Sequence, residues 1–146
     1  MISIILVPTD GSRLAQKAAV YAVDLAKNLN ASVIVLSIVD SRSLALVSIA
    51  ETGLPEAKIE SALRETAKGN AQEIIKLCDE GGIRSKAVIT TGYPVEEIVK
   101  EAGSSKADLI VMGSHGRSAL TATVLGSVAY GVIHKDIKIP VMVVKG

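Results

Sequence analysis

Five short apolar runs limit what this chain can fold into. They are Ser3–Val7, Ser32–Val39, Lys86–Thr90, Leu109–Met112 and Val141–Val144. Each reads as a buried strand. Between them, apolar residues recur at helical spacing, beginning with Ala15, Ala18, Ala19, Ala22, Leu25, Ala26 and Leu29. Strand and helix therefore alternate as βαβαβαβαβ. That alternation implies an α/β fold, an open five-stranded parallel sheet with helices on both faces. Right-handed crossovers with the first strand central give the order 3-2-1-4-5. The chain then reverses direction between strands one and four. A crevice is expected there, at the carboxyl ends of the strands.

Local signals fill in the rest. Pro8 is read as the end of the first strand, and Asp10-Gly11-Ser12 opens a helix to about Asn30, with Asp10 and Ser12 as N-cap candidates. The segment 40–54 carries Leu44, Ala45, Leu46, Val47 and Ile49, too apolar for a plain solvated loop. It reads as a loop with a short helical turn that covers the sheet, meets a partner subunit or serves as a lid. Pro55 begins a long helix whose buried stripe is Ile59, Leu63, Ala67, Ala71, Ile74 and Cys78, stopped by Gly81-Gly82. Thr91–Pro94 reads as a turn, and Val95 to about Ala102 as a helix with Ile98 and Val99 buried. The last helix is expected from about Ser127 to Lys135.

Composition narrows the function classes. A chain of 146 residues with 49% apolar content suffices for one domain, 1–146, with a real core. A net charge of +1 without a basic block gives no polyanion-binding surface. With no Phe and no Trp, there is no stacking platform for single-stranded nucleic acid. The start lacks a basic leader, and no run approaches the ~20 apolar residues of a membrane span. The lone Cys78 allows no internal disulfide, which fits a cytoplasmic protein, and on an apolar stripe it reads as an inert thiol.

The chemistry concentrates after the fourth strand. Gly113 ends it, Gly116 follows, and Gly126-Ser127 opens the last helix. Glycines let backbone approach an anion, and free N–H groups at a helix start face it. The plainer reading is a glycine turn with Ser127 as N-cap. Thr9-Asp10 at the end of the first strand reaches the same crevice, which favours a phosphate or nucleotide site. No G-x4-G-K-[ST] and no G-x-G-x-x-G occurs, so this is neither a P-loop NTPase nor a dinucleotide dehydrogenase. Asp10 is the one carboxylate placed nearby. Arg117 is either a phosphate clamp or a solvated arginine. His115 has no carboxylate partner visible in sequence, and His134 reads as structural.

Gly113-x2-Gly116-x9-Gly126-Ser127, with Val7–Ser12 at the start and Ile139–Val144 at the end, resembles the universal stress protein family in its ATP-binding branch. The resemblance covers essentially the whole chain. It implies adenine contacts from Pro8, Thr9, Asp10 and Ile38, ribose contacts from Met112-Gly113, and phosphate contacts from Gly116, Gly126, Ser127 and Val128. It also implies ATP or another adenine nucleotide with Mg²⁺ or Mn²⁺ bridging the phosphates, and a homodimer through the last strand. Ala119 and Tyr130 depart from the usual family residues, outside the signature. The expected function is an ATP-binding regulatory or stress-response protein. The alternatives are a slow ATPase using Asp10 and a metal, and a non-binding dimeric scaffold. Gly126→Val is expected to abolish nucleotide binding with the fold intact.

Overall fold

The five apolar runs form one parallel sheet in the order β3-β2-β1-β4-β5. The computed structural model describes residues 1–49, 53–116 and 125–146, and for Ile49 the backbone only. The strands are β1 (Ile4–Thr9), β2 (Ser32–Asp40), β3 (Ser85–Gly92), β4 (Leu109–Gly113) and β5 (Val141–Val144). The helices are α1 (Arg13–Leu29), α2 (Ser41–Ile49), α3 (Glu56–Glu80), α4 (Pro94–Ser104) and α5 (Ser127–Ile133). The expected order and class are those observed.

Alternation along the strands divides the core in two. Ile5 and Val7 of β1, with Val33 and Val35 of β2, pack against the alanines of α1 and against Ala71, Ile74 and Cys78 of α3. Leu6, Ile34 and Leu36 point the other way, onto Ile98 and Ala102 of α4 and Ala129 and Val132 of α5. Each fully buried Leu or Ile contributes roughly 1.5–3 kcal/mol. The alanine stripe of α1 is what lets that helix lie close to the sheet. Ser12 caps α1 by accepting from Ala15 N–H at 3.2 Å, and Asn30 closes it in the left-handed region at φ 55°. In the stripes of α3 and α4, Leu63 and Val99 are only half-buried.

Several boundaries differ from expectation, for physical reasons. Pro8 does not end β1; it pairs with Leu36 inside the strand. Ile4 C=O bonds to Asp108 N–H, so even-numbered residues of β1 face β4. The N–H that Pro8 lacks would point to β4 just beyond Leu6↔Ile110, where the β1–β4 pairing stops. Pro8 therefore ends the β1–β4 ladder rather than the strand. Segment 41–49 is a nine-residue helix, longer than a turn. Asp40 starts it by accepting from Arg42 N–H at 2.9 Å, and of its described side chains only Leu44 is buried. β3 runs on through Gly92, and Pro94 sits in the first turn of α4. Gly126, not Ser127, occupies the N-cap of α5.

The two outer strands are treated differently. The β2–β3 register is unbroken and Arg84 C=O meets Val33 N–H, so Ile89 C=O faces the outer edge. Arg64 of α3 reaches over that edge. It donates to Ile89 C=O at 3.4 Å and to Thr91 Oγ1 at 3.3 Å, while Thr91 Oγ1 donates to Glu60 Oε1 at 3.0 Å. On β5, Met142 is exposed.

Candidate functional site

Two turns converge where the β1–β4 ladder stops. The first follows β1. Thr9 is buried, and its Oγ1 accepts from Gly11 N–H at 3.1 Å. Asp10 Oδ1 accepts from Ser12 N–H at 2.9 Å. These two bonds and the left-handed Gly11 at φ 78° fix the turn. The second turn follows β4. Ser114 is buried and donates its N–H to Val144 C=O at 2.9 Å. Its C=O accepts from Gly126 N–H at 2.7 Å, so the chain leaves at Ser114 and returns beside it.

Close approach explains the glycines. A Cβ on Gly126 would lie 2.7 Å from Ser114 C=O and 3.1 Å from His115 Cα. A Cβ on Gly113 would sit 3.1 Å from Leu14 Cγ, so this glycine lets the first turn of α1 close on β4. A Cβ on Gly116 would lie 2.5 Å from Asp10 Oδ2. That last contact joins the two turns: the Asp10 carboxylate lies directly against the glycine loop.

The remaining site residues surround this point. Thr9 pairs with Ser37, so Ile38 follows one step along β2, half-buried on the α4–α5 face together with Val128. Pro8 and Met112 are buried, so contacts to a ligand from Met112 would come from its backbone. The first bond of α5 runs from Tyr130 N–H to Gly126 C=O, which leaves the N–H groups of Ser127 and Val128 without an acceptor inside the helix. Arg117 lies outside the described residues.

Sequence reasoning missed Ser114. Its Oγ lies 2.7 Å from His115 Nδ1, so the imidazole has a hydroxyl partner where no carboxylate was visible. The signal was the Ser-His pair set between Gly113 and Gly116. At the junction of β2 and α2, Asp40 pairs with Arg42 at 2.7 Å. Burial raises the Asp40 carboxyl, but the hydrogen bonds and charge of Arg42 outweigh it and hold the pKa below its usual value. The other reactive groups lie apart. His134 stacks on Tyr130 at 3.9 Å and meets its C=O through Nδ1. Cys78 is fully buried, and burial pushes its thiol pKa up, which suppresses the nucleophilic thiolate. Among the described residues no cluster of three or more His, Cys, Asp or Glu is placed to hold a metal ion.

A parallel sheet covered on both faces, with its candidate site at the strand reversal, defines a Rossmann-like α/β protein. The universal stress protein family model matches residues 1–145, and the chain belongs to that family. Universal stress protein MJ0531 of Methanocaldococcus jannaschii is 38% identical over 145 residues, which cover 97% of this chain and 81% of the relative. MJ0577 of the same organism is 38% identical over 153 residues, covering 97% and 93%. The solved structure of MJ0577 superposes with a TM-score of 0.86 at 36% identity, covering 100% of this chain and 97% of that one. A universal stress protein in complex with cAMP superposes with a TM-score of 0.64 at 26% identity, covering 99% and 97%.

Proposed function

We propose that the protein holds an adenine nucleotide, ATP, in the crevice between β1 and β4 and acts as a regulatory or stress-response protein. The observation that carries this reading is the contact of the Asp10 turn with Gly116, at the point where Pro8 ends the β1–β4 ladder. Two motifs far apart in sequence meet at one opening in the sheet. The cAMP complex of a structurally similar family member supports an adenine nucleotide as the ligand class. In this reading Pro8, Thr9, Asp10 and Ile38 border the base, and Met112 and Gly113 the ribose. Gly116, Gly126, Ser127 and Val128 border the phosphates, with Arg117 as a further clamp.

A divalent ion, Mg²⁺ or Mn²⁺, would be held here by the nucleotide phosphates with Asp10 beside them, and would supply counter-charge to the phosphates. The Asp10 carboxylate lies at the crevice, and among the described residues no cluster of three or more His, Cys, Asp or Glu could hold a metal, so the phosphates would supply most ligands. Backbone N–H donors bind a ground state as well as a transition state, and only differential binding accelerates chemistry. Turnover is therefore expected far below the ~10 s⁻¹ of a typical enzyme. We also assign a homodimer through the β5 edge, where Met142 is exposed, and a reducing, cytoplasmic setting for the lone Cys78. Among the described residues no helix is long and apolar enough to cross a membrane.

The test is thermal unfolding with ATP and Mg²⁺, run beside a phosphate-release assay and light scattering. ATP should raise the midpoint by mass action, since a hundredfold excess over Kd adds about 2.7 kcal/mol of stability. No shift would overturn the nucleotide reading. Fast phosphate release that Asp10→Ala abolishes would replace the binding protein with a hydrolase. A monomer at micromolar concentration would remove the β5 interface.

A further inference from the structure

The Asp10 turn is also held from a third side, by the long helix. Thr9 Oγ1 and Asp10 Oδ1 take up the N–H groups of Gly11 and Ser12, and neither bond touches the Gly11 α-carbon. Asn70 of α3 does. A Cβ on Gly11 would lie 2.5 Å from Asn70 Oδ1 and 2.6 Å from both Cγ and Nδ2. Near-equal distances to all three atoms put that point over the face of the amide, not at its tip. The flat amide therefore lies against the bare α-carbon. Asn is a poor helix former. Here it stands half-buried between Ala67 and Ile74, where the buried stripe of α3 calls for an apolar residue. Three residues along, Glu73 accepts from Gln16 Nε2, so the same face of α3 also meets the start of α1.

Glycine adopts many backbone forms at little cost. A turn that depends on Gly11 at φ 78° is kept in one form by what packs against it. Its neighbour Asp10 carries the carboxylate that meets Gly116 across the crevice. A change of backbone at Gly11 re-aims that carboxylate. We propose that Asn70 is a positioning residue for nucleotide binding, whose amide keeps the β1–α1 turn in the form that brings Asp10 to the glycine loop. The proposal rests on the nucleotide reading of the crevice. It extends the site to α3, a helix with no part in the two turns that border the ligand.

The experiment is a double-mutant cycle in the full chain, with Asn70→Ala, Gly11→Ala and the two together. It is read by ATP affinity in calorimetry beside nucleotide-free melting curves. Asn70→Ala should lower ATP affinity about fivefold while the protein stays folded. A residue that only packs would shift the midpoint and leave the affinity of the folded protein alone, and that result would overturn the proposal. Gly11→Ala meets Asn70 in addition to the left-handed strain. Its loss of affinity should therefore be smaller, by about threefold or more, in the Asn70→Ala background. Losses that simply multiply would also overturn the proposal. Hydrogen exchange needs only the wild type and Asn70→Ala, should Gly11→Ala fail to fold. Without nucleotide, the N–H groups of Gly11 and Ser12 should exchange faster in Asn70→Ala, relative to the rest of β1 and α1. Equal protection would remove the positioning role. A wild-type protein that does not bind ATP would instead remove the nucleotide reading, with the exchange result still deciding whether Asn70 holds the turn.

Discussion

β1 and β4 lie side by side, yet their two ends are built in opposite ways. At the amino end the Asp108 carboxylate accepts from Ser3 N–H at 2.8 Å and Ile4 N–H at 3.0 Å, and Asp108 N–H bonds Ile4 C=O at 2.8 Å. That end is fastened. At the carboxyl end Pro8 has no N–H to offer, pairing stops at Leu6↔Ile110, and the Asp10 turn and glycine loop meet in the gap. One pair of central strands thus holds the sheet together at one end and opens it at the other. The lesson is a division of labour along a single seam. Backbone groups needed by a ligand must be left out of the ladder, and side-chain anchoring at the far end offsets the loss.

Substitutions at the two ends should separate binding from stability. The largest effect is expected from Gly126→Val. Its Cβ would meet Ser114 C=O before any phosphate could be blocked, so the bond that closes the loop is lost as well. The expected result is nucleotide binding below detection together with about 1–3 kcal/mol of destabilisation from overpacking. This replaces the simpler expectation of an intact fold. Lost binding with an unchanged melting curve would restore it.

Gly116→Ala is a milder change at the same end. Its Cβ would meet the tip of Asp10, an exposed side chain that can give way. ATP affinity should fall about tenfold, or about 1.4 kcal/mol, with little change in the midpoint. Unchanged affinity would place the ligand away from the Asp10–Gly116 contact.

Asp108→Asn probes the fastened end and should do the reverse, lowering the midpoint slightly and leaving ATP affinity alone. The pH dependence has a definite sign. The N–H groups of Ser3 and then Ile4 hold the Asp108 carboxyl below its usual pKa. Its stabilisation is complete above the unfolded value of ~3.9 and is lost as pH falls through the lower folded value. The gap between wild type and Asp108→Asn should therefore be present at neutral pH and shrink below about pH 4. A gap that persists in acid would assign the effect to packing.

Much of this architecture was legible because the chain repeats one pattern. Apolar strands alternating with helical stripes fix the layers, and Thr9-Asp10 with Gly113-x2-Gly116 mark the opening. What escaped depends on partners that local sequence does not name. Pro8 reads as a strand breaker until β4 is known to diverge from it. α2 shows too weak a stripe, with Leu44 buried and its start set by Asp40. Ser114 gains its role from Val144 and Gly126, contacts made only once β5 and α5 are in position.

The Arg64 contact with the edge of β3 bears on assembly. A sheet with adhesive margins on both sides can add copies without end, because each addition exposes a fresh margin. Here α3 lays its own guanidinium over Ile89 C=O, so part of one margin is engaged from within the chain. Were copies to join through β5, as proposed above, each outer flank of the pair would be a β3 edge that carries this contact. Arg64→Ala should release that restraint and yield species larger than a pair by light scattering; an unchanged mass would mean that β3 is shielded by other means. A single arginine on the longest helix thus sets the expected upper limit of assembly, and its removal is the way to test that limit.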